Sequence, residues 1–150
     1  MIKLFNTLTR KKEPFKAINN NKAGIYTCGP TVYWYAHLGN LRTYLFEDIL
    51  RRTLEYNGYK IKQVMNITDV EDKIIKKALA ENKDIYEITK PYTKIFFDDL
   101  KKLNIEKVEK YPKATEHIKE MINMIKSLIK KKLDYNGEDR SIYFSISKFK

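Results

Sequence analysis

Residues 23–67 alternate a short strand pattern, an aromatic loop, an amphipathic run of helical length and a second strand pattern, and this order constrains the fold more than any other feature. Ala23-Gly24-Ile25-Tyr26-Thr27-Cys28 reads as a strand ended by Gly29-Pro30. From Leu41 the apolar residues Leu41, Leu45, Ile49 and Leu54 recur at helical spacing with Phe46 and Leu50 beside them, and Asn57-Gly58 supplies a stop. Residues 59–67 read as the second strand. Two strands joined by a helical crossover are expected to run parallel with a right-handed connection, so the pattern predicts an α/β fold built on a Rossmann-like parallel sheet.

The rest of the chain reads as a following helical region. Thr68-Asp69-Val70-Glu71 matches the Ser/Thr-x-x-Glu capping box, predicting that Thr68 caps a helix with a buried stripe of Val70, Ile74, Ile75, Ala78 and Leu79. Residues 84–103 predict another helix, which Pro91 should kink or split, and residues 115–132 a third carrying Ile118, Met121, Ile122, Ile125, Leu128 and Ile129 on one side. Residues 84–132 are therefore expected to be a mainly helical insertion. Around Asn136-Gly137, residues 133–145 read as a hairpin. No repeat and no Pro/Gly/Ser linker interrupts the chain, so residues 1–150 are expected to form one continuous part with no second complete domain.

Composition narrows the setting. The 150 residues contain a single cysteine, Cys28, which excludes an intramolecular disulfide and makes a cytoplasmic location the expectation. No segment reaches the roughly 20 continuous apolar residues of a membrane span, so no membrane partner is expected. Thirty Lys plus Arg against nineteen Asp plus Glu gives a net charge of +11, which would suit a polyanion. Lysine is nevertheless spread along the whole chain beside abundant Asn, Ile and Tyr, which reads as compositional bias rather than a binding stripe.

Chemistry concentrates where a parallel sheet places ligands, outside the carboxyl ends of its strands. The loop after the first strand carries His37-Leu38-Gly39-Asn40 ahead of the first helix. An imidazole, a small glycine and an amide thus stand beside free backbone N–H groups, where a phosphate is stabilised by the helix dipole. Taken singly, His37 reads equally as a packed or capping residue, Cys28 as a small buried hydrophobe at a strand end, and Thr68 as an N-cap. Tyr33, Trp34 and Tyr35 could stack on a base or simply pack. Asp69 and Asp72 are accounted for by the helix dipole, and His117 by a surface or capping position.

In combination, Cys28-Gly29-Pro30-Thr31-Val32-Tyr33, His37-Leu38-Gly39-Asn40 with Arg42-Thr43, and Asn66-Ile67-Thr68-Asp69 with Asp72-Lys73-Ile74 closely resemble the N-terminal part of cysteinyl-tRNA synthetases. The opening residues 4–10 and the segment 112–118 resemble the same family, so the resemblance covers essentially the whole chain. It implies the N-terminal half of a class I synthetase catalytic domain. The family's HIGH signature stands here as His37-Leu38-Gly39-Asn40, with Asn40 replacing the final histidine. Its KMSKS signature is absent from these residues.

What the resemblance implies is ATP-dependent activation of L-cysteine to cysteinyl-adenylate, with release of pyrophosphate and transfer to tRNA(Cys). His37 and Asn40 are then the catalytic candidates, and His37, Gly39 and Asn40 the ATP-binding ones. Gly29, Thr31 and Thr68 match the cysteine pocket. Cys28 matches a ligand of a zinc ion that binds the substrate thiolate; the family's other ligands, a cysteine, a histidine and a glutamate, are absent here. Mg²⁺ is expected with ATP, and a monomer for the full-length enzyme. The isolated 150 residues are expected to be inactive. Two other readings stay open: a ligase of the same ancestry acting on an amino sugar, and a non-catalytic nucleotide- or RNA-binding half-domain.

Overall fold

A computed structural model describes residues 1–149 and divides them into two units, Met1–Ala114 and Thr115–Lys150. The first unit opens with a hairpin that the sequence reading did not identify. Strands β1, Lys3–Asn6, and β2, Lys11–Pro14, pair antiparallel from Lys3↔Pro14 to Asn6↔Lys11. Its turn is set by Asn6, whose Oδ1 accepts from the Leu8 N–H, and by Arg10 at φ +56°.

The parallel pair forms as predicted. Strand β3, Lys22–Thr27, lies beside β4, Lys60–Met65, in register from Lys22↔Lys60 to Thr27↔Met65. Isolated parallel bridges extend it on both sides. Thr31 pairs with Thr68, while Val64 and Ile67 pair with Lys110 and Lys113. The Met65 N–H donates to the Lys110 carbonyl at 3.1 Å and the Ile67 N–H to the Pro112 carbonyl at 2.8 Å. Residues 110–113 therefore run along β4 on the side away from β3.

Helix α1, Leu38–Tyr56, crosses between the two strands. It begins before Leu41, so the His37-Leu38-Gly39-Asn40 run is the helix start itself and not the loop ahead of it. It ends as expected at Asn57-Gly58, with Gly58 at φ +84°. Its buried face corrects the periodicity reading. Phe46 and Ile49 are 65% and 60% exposed, whereas Tyr44, Glu47, Asp48, Arg51 and Leu54 are buried.

The polar part of that face is held by an ion network. Arg51 grips Glu109 with two nitrogens, at 2.8 and 3.2 Å, and reaches Glu55 and Glu106 through Nε. Arg52 joins Asp48 to Glu106. Glu109 also accepts the Gln63 N–H of β4 at 2.5 Å, which ties the helix, the strand and residues 105–109 together.

Helix α2, Asp72–Glu81, has Glu71 as its N-cap with no side-chain cap bond, which overturns the capping box predicted at Thr68. The Thr68 chain is instead committed to the sheet, its N–H donating to the Pro30 carbonyl and its carbonyl accepting from Val32. Of the predicted stripe, Ile74 and Ala78 are buried, but Ile75 and Leu79 are 39% and 77% exposed. Helix α3, Ile85–Lys102, is capped by Asp84 and Glu87 reciprocally and continues through Pro91 as one helix rather than splitting. Tyr44, Met65, Ile67, Phe96, Leu100 and Val108 form the main core with Val32, while Ile74, Ala78 and Ile88 form a second cluster.

In the second unit, α4, Ile118–Lys130, follows a short 3-10 turn at Ala114–His117 and buries none of its residues. Its predicted apolar stripe is present but exposed at Met121, Ile122 and Ile125. The predicted hairpin forms from β5, Asp134–Asn136, and β6, Ile142–Phe144.

Candidate functional site

The start of α1 carries the site's most specific geometry. His37 Nδ1 accepts from the Asn40 N–H at 3.3 Å, and Asn40 Oδ1 accepts from the His37 N–H at 3.2 Å, a reciprocal capping box. The arrangement fixes the imidazole tautomer: with Nδ1 accepting, Nε2 carries the ring hydrogen. Asn40 likewise commits its oxygen and keeps its amide hydrogens. The glycine between them has a steric reason. A Cβ at Gly39 would lie 3.0 Å from His37 Cε1 and 3.1 Å from Nδ1, so a side chain there would crowd the ring that folds back over the helix start.

A second cluster holds the end of β3 against the end of β4. Asn66 Oδ1 accepts from the Gly29 N–H at 3.2 Å and from the Tyr26 hydroxyl at 3.1 Å, while its Nδ2 donates to Thr68 Oγ1 at 3.1 Å. Here too the glycine is required by space. A Cβ on Gly29 would stand 1.8 Å from the Asn66 carbonyl oxygen. Cys28 is held at this junction as an exposed free thiol, not as the buried hydrophobe that its strand-end position allowed.

These two clusters meet in a cleft of about 400 Å³. Cys28, Gly29, Thr31, His37 and Asn40 all line it, so the structure brings together five of the seven site residues predicted from the sequence. Thr68 is absent from the lining and stands behind it on Asn66. Gly39 faces a separate shallow groove with Arg42, Thr43 and Phe46. The sequence did not point to Lys73, Tyr92 and Phe96, which complete the wall from α2 and α3. Neighbouring motif residues offered a signal only for Lys73, which follows Asp72 in the Asp-Lys-Ile run.

Beneath the cleft the groups are desolvated. Tyr44, 3% exposed, has its phenol pushed up to about 12 by burial and by the nearby Glu47 and Cys28 charges. Burial also raises the Glu47 carboxyl, against a lowering hydrogen bond from Thr27. Among the described residues Glu47 Oε2 and Gln63 Oε1 are both buried without a hydrogen-bond partner, while Gln63 Nε2 donates to Thr27 Oγ1 at 3.3 Å.

The cleft thus presents N–H donors of an imidazole, an amide and a helix start, suited to phosphate oxygens, beside a free thiol and the Thr31 hydroxyl. It does not present a metal site. Zinc takes about four donors, and among the described residues no group of three or more His, Cys, Asp and Glu side chains converges. Cys28 supplies one donor. Among the described residues no helix is long and apolar enough to cross a membrane.

Comparison with known proteins gives a concordant result. The family model for the tRNA synthetases class I (C) catalytic domain matches residues 14–150. The chain is 54% identical over 148 residues to a cysteine–tRNA ligase of Protochlamydia amoebophila and 53% identical over 148 residues to one of Brachyspira hyodysenteriae. It is 48% identical over 150 residues to one of Methanococcus maripaludis. These matches cover 99–100% of the chain but 31% of each relative, so the chain spans about a third of the length of the curated relatives it matches.

Proposed function

Because the chain belongs to the class I (C) tRNA synthetase catalytic-domain family, we propose that its cleft serves cysteine–tRNA ligation. In that reaction ATP and L-cysteine give cysteinyl-adenylate and pyrophosphate, and the cysteinyl group passes to a terminal ribose hydroxyl of tRNA(Cys) with release of AMP. The observation that carries the reading is the His37–Asn40 capping box standing in one cleft with Cys28, Gly29 and Thr31.

The cysteine carboxylate attacks the α-phosphate in line, and the P–O bond to the leaving pyrophosphate breaks. Little covalent work falls to the protein, so positioning and charge stabilisation dominate. His37 Nε2–H and the Asn40 amide hydrogens are the donors offered to the phosphate oxygens, and both are pre-oriented by their mutual bonds. Asn40 donates without adding the positive charge that a histidine could carry. The N–H groups of the first turn of α1 add to the same field. Mg²⁺ accompanies ATP as counter-charge to its phosphates.

Gly29 lets the cysteine approach the strand ends, and Thr31 offers a hydroxyl to its polar groups. Thr68 serves this pocket from behind through Asn66, rather than as a wall. Cys28 is proposed as a single thiolate donor toward zinc; the described residues do not complete such a site, and no step is assigned to the metal. A cytoplasmic, monomeric enzyme remains the setting of the proposal.

The test is cysteine-dependent ATP–pyrophosphate exchange by the full-length enzyme, followed by transfer to acceptors. Exchange that needs cysteine, with tRNA(Cys) then charged, supports the reading. Exchange followed by transfer to an amino sugar and not to tRNA(Cys) would redirect it to the sister ligase chemistry, and nucleotide binding without exchange to a binding module.

A further inference from the structure

The aromatic segment Tyr33-Trp34-Tyr35 forms one wall of the cleft, and its two exposed rings are not held by burial: Trp34 is 59% and Tyr35 57% exposed. They are held by a lysine on another element. Lys77 of α2 donates to the Tyr33 carbonyl at 2.9 Å and to the Tyr92 hydroxyl of α3 at 3.0 Å. Its ammonium lies 4.6 Å from the centre of the Trp34 ring. The side chain is 19% exposed, and the Glu81 carboxylate is 4.0 Å away.

Because the ammonium already sits at the Tyr92 oxygen, its attraction to Tyr92 counts as a hydrogen bond, and the cation–π attraction belongs to Trp34. Tyr92 in turn meets Trp34 at a centroid distance of 5.9 Å and Tyr35 at 5.4 Å, the latter at 89°. One cation therefore collects the loop backbone, the Trp34 face and the α3 phenol that both loop rings lean on. Tyr35 and Tyr92 also line a second groove of about 180 Å³ together with Lys77, so the rings form a partition with open space at two clefts. Tyr92 packs against the main core and Tyr33 against the Ile74–Ala78–Ile88 cluster, whereas Trp34 and Tyr35 stand exposed between them.

We propose that Lys77 is a positioning residue of the cleft: its ammonium fastens the Tyr33–Tyr35 segment to α2 and α3 and so sets where the Trp34 and Tyr35 rings stand. It touches neither the phosphate donors nor Cys28. Removing hydrogen bonds to a charged group shifts the balance between held and released conformers by about tenfold or more. If the held wall is the binding-competent one, ligand affinity falls by the fraction released, about threefold to tenfold.

Trp34 is the single tryptophan of the chain, which makes its fluorescence a direct reporter. The experiment compares acrylamide quenching of Trp34 in the wild type, Lys77→Met, Lys77→Arg and Tyr92→Phe, with circular dichroism to confirm folding. Lys77→Met is expected to raise the quenching constant and shift emission to the red, and Tyr92→Phe to do so by less. Lys77→Arg, which keeps the cation and its donors, should stay near the wild type. Unchanged quenching in folded Lys77→Met overturns the proposal; if that variant fails to fold, unchanged quenching in Tyr92→Phe does so instead.

The second arm titrates AMP and follows the same fluorescence. This arm alone rests on the nucleotide reading of the cleft. Weaker AMP binding in Lys77→Met at an unchanged thermal midpoint supports positioning over a general loss of stability. Absence of AMP binding in the wild type counts against the proposed function, while greater quenching in Lys77→Met still supports the role of Lys77.

Discussion

Replacing Gly29 by alanine tests how the cleft is built, because the added carbon meets backbone and not a movable side chain. The new Cβ would stand 1.8 Å from the Asn66 carbonyl oxygen and 2.9 Å from Met65 Cγ. Relief requires the ends of β3 and β4 to part by more than an ångström. That movement stretches the Gly29 N–H bond to Asn66 Oδ1 and the neighbouring bond from Thr68 N–H to the Pro30 carbonyl, now 3.2 and 2.9 Å. Overpacking costs about 1–3 kcal/mol and each weakened buried bond about 1 kcal/mol, so the substitution should destabilise by about 3 kcal/mol. In urea this lowers the unfolding midpoint by about 1–2 M at an unchanged slope. Gly24→Ala is the internal control. Gly24 lies within β3, upstream of Gly29, with nothing among the described residues within 4 Å of its would-be Cβ, and should be neutral or slightly stabilising. Coincident urea midpoints for the two variants would refute the steric account of the Cys28–Gly29 junction.

Three other substitutions separate structural from chemical roles. His37→Asn should keep the N-cap, since asparagine caps as well as any residue, while nucleotide binding and pyrophosphate exchange fall; His37→Ala should also lose about 1 kcal/mol of stability. A fully active His37→Asn, measured beside its thermal midpoint, returns the residue to capping alone. Glu47, raised by burial, holds its proton more tightly folded than unfolded, so the stability this gives is complete below the usual glutamate range and is lost as pH rises through the raised value. Glu47→Gln should flatten that fall and be more stable at neutral pH, read from urea midpoints across the range; an unchanged profile contradicts it. Arg51→Met takes the cation from Glu55 and Glu109, while Glu106 keeps Arg52, and because these carboxylates are about a third exposed it should cost about 1–2 kcal/mol, with Arg51→Lys recovering only part because the two-nitrogen grip on Glu109 is lost. Equal midpoints for wild type and Arg51→Met would assign the network no weight.

The strand–helix–strand core was legible because its signals are local: β-rich runs, a Gly stop and helical spacing. Helix α1 shows where that logic ends. Its apolar residues at 46 and 49 suggested a buried face, yet the protein buries Glu47, Asp48 and Arg51; Asp48 accepts the Glu106 N–H and Arg51 pairs with Glu106 and Glu109, more than 50 residues away in sequence. Periodicity cannot price a charge whose partner is remote. The caps show a subtler limit. Thr68-x-x-Glu71 has the right letters, but Thr68 is already engaged in the sheet beside Pro30, so the helix begins later at Asp72. His37, an unusual capping residue, takes that role because Gly39 makes room for its ring.

The cleft residues of the Cys28–Asn40 loop were visible as motifs, since they are contiguous. Of the α2 and α3 contributions only Lys73 stood in a motif; Tyr92 and Phe96 reach the cleft through helix packing, and Lys77 acts on it through Tyr33, Trp34 and Tyr92. The N-terminal hairpin escaped for the opposite reason. Its strands are short and largely exposed, so they carry little hydrophobic alternation, and the turn rests on one Asx bond and a left-handed Arg10.

The central claim is that one cleft holds the phosphate donors of His37 and Asn40 together with the cysteine-side residues at Cys28–Thr31. Calorimetric titration with a non-hydrolysable cysteinyl-adenylate analogue, compared with its seryl counterpart, measures this most directly. The account predicts binding that favours the cysteinyl compound and weakens both in His37→Asn and, with loss of the cysteine preference, in Cys28→Ser. Binding that is indifferent to both substitutions, or none at all by a folded wild-type protein, would contradict it.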